Sequence, residues 1–131
     1  RICDNSLKVA TYLQKHPKVR WVNYAGLPDH PSHALAQKYM GGRASGILTF
    51  GIDGGRAGGA RFQDALKLFV RLVNIGDAKS LACHPASTTH RQLNPAELEK
   101  AGVSEDMVRL SIGIEHVDDL LADLEQALAA A

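Results

Sequence analysis

Arg109 is the residue whose type and setting most invite chemistry in this sequence. It stands in "VRLSIGIE", residues 108–115, where Val108, Leu110, Ile112 and Ile114 alternate with Arg109, Ser111, Gly113 and Glu115. Side chains on a strand alternate between faces, so a strand here buries the aliphatic set and sends Arg109 and Ser111 to the other side. A planar, permanently charged guanidinium on that side can hold a carboxylate through two parallel hydrogen bonds. Judged alone, an arginine in such a place is more often solvated or salt-bridged than a ligand anchor.

The remaining candidates are weaker. His84 and His90 flank "PASTT", but no carboxylate or thiolate completes a metal set at familiar spacing. Cys83 alternates to the opposite face from His84, so no metal site is expected. On spacing alone "PASTTH" reads as a turn built from usual turn residues. "GIDGGRAGGA", residues 51–60, matches neither the phosphate-loop spacing nor the dinucleotide fingerprint. It reads as a plain strand-to-helix turn whose glycines supply positive φ. Cys3 and Cys83 fall in different elements without CxxC spacing, which suits free thiols in a reducing compartment better than a disulfide.

Helices and strands alternate along the chain. Residues 3–15 read as a helix with Leu7, Ala10 and Leu13 inward, ended at His16 and Pro17, and "VRWVNYAG" as a strand closing at Gly26. Ser32 can cap a second helix running to about Met40, and "ASGILTFGI" is a strand with Leu48, Phe50 and Ile52 on one face. From about Ala60, the residues Phe62, Ala65, Leu66, Phe69, Val70 and Val73 recur at helical spacing. "SLACH" is a short strand. Asn94, Pro95 and Glu97 form a helix start that Gly102 is placed to end. The last helix carries Asp118 and Asp119 in its first turn and the apolar stripe Val117, Leu120, Leu121, Leu124 and Leu128. The expected fold is α/β: about four strands in one sheet, helices on one face and the other face open.

Composition excludes several functions. The 131 residues suffice for one domain, and fifteen Lys and Arg against fourteen Asp and Glu give a formal charge of +1 with no long run of either sign. Nucleic acid is therefore not an expected partner. Neither is a membrane, since no apolar stretch is long enough to span one and no leader pattern opens the chain. The reading is of a soluble, cytoplasmic protein. The chain starts at Arg1 inside a helical pattern and reads as a fragment.

Residues 74–93, "NIGDAKSLACHPASTTHRQL", and residues 102–128, "GVSEDMVRLSIGIEHVDDLLADLEQAL", strongly resemble the C-terminal domain of the pyridoxal-phosphate (PLP) enzymes of cysteine and methionine metabolism. The likeness extends back through "HPKVRWVNYAGLPDHPSHALAQKYM" to the first helix, and so covers the whole chain. Asn74 at the head of "NIGDAKSL" and the run "HPASTTHRQL" look like the O-acetylhomoserine sulfhydrylase branch. A cystathionine γ-synthase or methionine γ-lyase type is the alternative within the family, and a non-catalytic α/β binding module the alternative outside it.

The resemblance implies a small C-terminal domain over residues 1–131, with residues 1–16 the helix linking it to a large domain that precedes it. It implies that Arg109 forks onto the α-carboxylate of the amino-acid substrate and that Asn74 supports the same group. Thr89 and Ser80 either line the mouth of that site or serve only as turn residues. The PLP lysine and phosphate cradle belong to the preceding domain, and Lys79 does not match the family's Schiff-base motif. No catalytic, cofactor-binding or metal-binding residue is expected in this chain, and the fragment alone is expected to be inactive. The implied whole is a homotetramer of methionine biosynthesis that converts O-acetylhomoserine and sulfide to homocysteine.

Overall fold

The computed structural model describes the backbone of residues 1–131 and every side chain except that of residue 95. The strands are β1 (Val19–Asn23), β2 (Ile47–Ile52), β3 (Val70–Arg71), β4 (Leu81–Cys83) and β5 (Met107–Ser111). The helices are α1 (Ile2–Gln14), α2 (His33–Met40), α3 (Gly55–Ala65), α4 (Pro95–Lys100) and α5 (Val117–Ala130), with a 3₁₀ turn at Pro85–Ser87. The chain is thus α/β, as its alternation of elements indicates.

Patterning explains the layers. The sheet order is β1-β2-β5-β4-β3, antiparallel throughout except for the parallel pair β3 and β4. Register sets Leu48 and Ala82 beside Leu110, and Phe50 beside Val108, in one continuous apolar layer. Helices α1, α3 and α5 pack on it through Val9, Ala10, Leu13, Phe62, Leu120, Leu124, Ala127 and Leu128, all fully buried. Phe62 meets Phe50 edge-on at 5.6 Å between centroids, and each such large side chain contributes roughly 1.5–3 kcal/mol by leaving water.

Several expectations need correction. There are five strands rather than about four, because residues expected to continue the third helix form β3 instead. Helix α3 begins at Gly55, inside the glycine cluster, and stops at Ala65. Asp123 of α5 causes the stop: its carboxylate accepts the backbone N–H groups of Lys67, Leu68 and Phe69 at 2.9, 2.9 and 3.0 Å. Donors held that way cannot reach back to helical carbonyls. Val70 and Val73, which fit the helical spacing, are 44% and 51% exposed. Only Gly54 and Gly55 of the cluster have positive φ. Gly59 is instead needed for close approach, since a Cβ there would collide with the His84 ring.

Other differences are smaller. β5 ends at Ser111, and Ile114, expected with the buried set, is 52% exposed. Leu7 is exposed, and Val9 takes the inward place beside Ala10 and Leu13. The start of α4 is as expected: Asn94 Oδ1 accepts from Glu97 N while Glu97 Oε2 accepts from Asn94 N, at 3.0 and 2.9 Å.

Candidate functional site

β5 is central in the sheet, so whatever its second face carries is held by strands on both sides. Arg109 lies opposite Thr49 of β2 and Cys83 of β4, and Ser111 lies opposite Ile47 and Leu81. This face is not fully open, contrary to expectation: Leu81, Cys83 and Ser111 are 2%, 5% and 3% exposed. Thr88 Oγ1 meets Cys83 Sγ at 3.7 Å, and Ile114 N donates to Ala78 O at 3.0 Å, which brings the flanking loops onto that end of the sheet. Thr49 Oγ1 and Ser111 Oγ are buried without a partner. Polar side chains thus sit side by side on this face of β2 and β5.

Arg109 is part-exposed on this face. Its Nη2 donates to the carbonyl oxygen of Asn74 at 3.0 Å, and none of the ion pairs among the described residues includes it. The guanidinium is therefore oriented by a neutral acceptor, and its charge is left without a carboxylate counterpart among the described residues. Five N–H donors and one bond leave capacity for a bidentate anion.

The structure brings Asn74 to Arg109, but through the main chain. The Asn74 side chain turns on its own loop: Oδ1 accepts from Ile75 N at 2.9 Å and Nδ2 faces Asp77 Oδ2 at 3.5 Å. At 3.5 Å that last contact is weak, so the amide retains donor capacity. Ser80 is fully buried and its hydroxyl is engaged, donating to Glu115 Oε2 at 2.9 Å and accepting from Gly113 N at 2.8 Å. It serves as a fastening between loops and offers no free group. Thr89 is exposed and pairs with His90 Nδ1 at 2.8 Å, within the 87–93 turn. Glu115, to which spacing gave no role although it closes the "RLSIGIE" run, is the acceptor that fixes Ser80.

His84 is buried with both ring nitrogens committed. Its Nε2 lies 2.9 Å from Glu105 O, which can only accept, so Nε2 carries the proton and Nδ1 accepts from Ser87 Oγ at 2.7 Å. Burial lowers its pKa, against the opposing effect of the Glu105 carbonyl. That neutral tautomer anchors the "PASTTH" turn.

A Schiff-base lysine needs a desolvated amine, and this chain's own residues bury none of the described lysines. Lys18, one of the more covered, is spent on the carbonyls of Ala129 and Ala131. Lys79 is exposed.

Comparison with known proteins gives a consistent result. Residues 1–129 match the Cys/Met metabolism PLP-dependent enzyme family. O-acetyl-L-homoserine sulfhydrylase 1 of Thermus thermophilus is 54% identical over 129 residues, which is 98% of this chain and 31% of that protein. O-acetyl-L-homoserine sulfhydrylase of Leptospira meyeri is 55% identical over 129 residues, 98% of this chain and 29% of that one. L-methionine gamma-lyase of Pseudomonas deceptionensis is 48% identical over 130 residues, 99% and 32% respectively. A crystal structure of a putative O-acetylhomoserine (thiol)-lyase from Campylobacter jejuni, containing a pyridoxyl-lysine phosphate, superposes with a TM-score of 0.89 at 45% identity, covering 98% of this chain and 30% of that one. The chain therefore spans roughly a third or less of the length of these relatives.

Proposed function

The chain belongs to the Cys/Met metabolism PLP-dependent enzyme family, and from that premise we propose that it is the C-terminal substrate-clamping domain of an O-acetylhomoserine sulfhydrylase. The observation that carries this reading is Arg109: a guanidinium on the central strand, oriented by the Asn74 carbonyl and without an acidic partner among the described residues. In this reading residues 1–131 form the small domain, and residues 1–16 lead from a larger domain that holds the cofactor. Assembly as a tetramer and a cytoplasmic location follow from the same reading. Among the described residues no helix is long and apolar enough to cross a membrane.

The cofactor, when bound, supplies the electron sink for chemistry at the α- and γ-carbons. This chain's residues position the substrate. Arg109 forks onto the α-carboxylate of O-acetylhomoserine, and the Asn74 amide donates to the same group. Holding the carboxylate fixes which bonds at the α-carbon face the reacting groups, an effect of orientation rather than of proton transfer. The γ-carbon then loses acetate as its C–O bond breaks and gains sulfur as the C–S bond forms, giving homocysteine. A γ-lyase reaction is the second reading, favoured by the close match to L-methionine gamma-lyase. Product analysis with sulfide, cysteine or methionine separates the two.

The test of the clamp uses the full-length protein that carries this chain. Wild type, Arg109→Ala and Arg109→Lys are titrated with O-acetylhomoserine and with its carboxamide analogue, following cofactor absorbance. Arg109→Ala should lose about 2–5 kcal/mol of transition-state binding, or about thirtyfold to several thousandfold in kcat/KM. Arg109→Lys should recover part of this, since a point charge lacks the planar fork. If Arg109→Ala keeps the full preference for the carboxylate over the carboxamide, another cation holds that group and the reading fails.

A further inference from the structure

Arg109 is held by the carbonyl of Asn74, which raises the question of what holds Asn74. Between Arg71 of β3 and Ser80, just before β4, the described main-chain atoms make two hydrogen bonds to the rest of the fold: Asn74 O from Arg109 and Ala78 O from Ile114 N. Residues 74–76 are exposed and lie in no helix or strand. Local side chains shape the loop, with Asp77 Oδ1 accepting from Lys79 N at 3.0 Å and Asn74 Oδ1 accepting from Ile75 N. Such bonds define a curve without fixing where it sits over the sheet.

Its position comes from the Ser80 end. Glu115 Oε1 accepts from Ser80 N at 2.6 Å and Oε2 from Ser80 Oγ at 2.9 Å, while Gly113 N donates to Ser80 Oγ at 2.8 Å. The Glu115 carboxylate makes no ion pair among the described residues, so its hydrogen bonds are to neutral groups of the loop it fixes. Close approach is built into the backbone: a Cβ on Gly113 would collide with Ala78 O and Glu115 Oε2. The turn bearing Glu115 is gripped from behind by α1. Asn5 Nδ2 donates to Gly113 O and Glu115 O at 3.1 and 3.0 Å, and Arg1 reaches Ile114 O and Glu115 O.

We propose that Glu115 is a positioning residue for the carboxylate site, acting through Ser80 to set the 74–79 loop and hence the carbonyl that orients Arg109. The inference rests on the reading of Arg109 as the clamp. A loop released from Glu115 must be ordered again each time a substrate binds, and that cost weighs on the bound and transition states alike. Such a loss appears in KM rather than kcat.

Three measurements on the full-length protein test it: steady-state kinetics with O-acetylhomoserine and its carboxamide analogue, amide hydrogen exchange at residues 75–79, and thermal unfolding. Glu115→Ala should raise KM for the carboxylate substrate about tenfold or more while changing kcat less than about threefold. It should narrow the preference for carboxylate over carboxamide and accelerate exchange in the loop. Glu115→Gln should restore part of each effect, because one amide oxygen can still accept from Ser80 N. If Glu115→Ala fails to fold, Ser80→Ala removes the hydroxyl bonds and leaves the Ser80 N bond, and a smaller shift in the same direction is expected. Faster exchange with an undiminished carboxylate preference would overturn the proposal, as would unchanged exchange. Arg109→Ala measured alongside separates the failures. If it abolishes the preference and Glu115→Ala does not alter it, only the role of Glu115 falls. If Arg109→Ala keeps the preference, the clamp reading falls and this role falls with it.

Discussion

The two faces of the sheet obey different rules. On the helix-covered face, Leu48, Phe50, Val108, Leu110 and Ile112 are at most 1% exposed and the layer is wholly apolar. Burial there is non-directional, and any side chain of the right volume would serve. The opposite face holds Thr49, Arg109 and Ser111, two of them with unpartnered buried hydroxyls, and its cover is a pair of loops. Arg109 there is oriented by one named acceptor, Asn74 O, and at the two ends of β4 Ser80 depends on Glu115 and His84 on Glu105 O. One strand, β5, serves both faces with alternate residues, so stability and the proposed substrate contact are separable at single-residue resolution.

The sharpest way to break that separation is a paired substitution on β5. Leu110→Ala should destabilise the fold by about 2–5 kcal/mol, the cost of a cavity in a packed core. Arg109→Ala should alter stability by less than about 0.5 kcal/mol, since it opens no core cavity. Chemical denaturation of both variants provides the check, and equal losses would mean that the two faces are not independent.

A narrower question concerns which part of Asn74 matters. Asn74→Ala keeps the carbonyl that receives Arg109 and removes the amide proposed to meet the substrate. A hydrogen bond to a charged group contributes about 1.5–3 kcal/mol, so kcat/KM should fall about tenfold or more through KM, with an unchanged cofactor spectrum. Wild-type kinetics with every substrate tried would reduce Asn74 to its main-chain bond.

The smallest effect expected is a dependence on pH. Burial holds His84 below its ordinary value of 6.5. The unfolded chain therefore takes up its proton first as pH falls, and the stability contributed by neutral His84 is present above the unfolded pKa and lost as pH drops below it through the folded value. Unfolding midpoints measured from pH 8 to pH 5 should decline over the acid side of this range. His84→Gln should flatten that decline, and a slope unaltered by it would assign the effect to carboxylates elsewhere.

Much of this architecture was legible because local and global demands agree. The alternation in "VRLSIGIE" identified β5 and the face of Arg109, and the Asn94–Glu97 pair marked the start of α4 through a bond that needs no tertiary context. Failures occurred where a distant group overrules local spacing. Ile114 continues the period of two, yet the strand ends at Ser111, and the loop at Ala78 takes up the main chain beyond it. Ser80 resembles a turn residue until Glu115, thirty-five positions on, is brought against it. The link between Asn74 and Arg109 came from family resemblance, because nothing in spacing brings a loop carbonyl to a strand arginine.

The three backbone donors gathered by Asp123 carry one further implication. Helix α3 ends where it does because of a side chain fifty-four to fifty-six positions later in the chain. Its length therefore depends on the packing of α5 against it. The same three bonds fix the approach to the edge strand β3 at Val70–Arg71. The loop that reaches Arg109 starts from that strand, so the proposed binding site is tied to the last helix on the other face of the sheet.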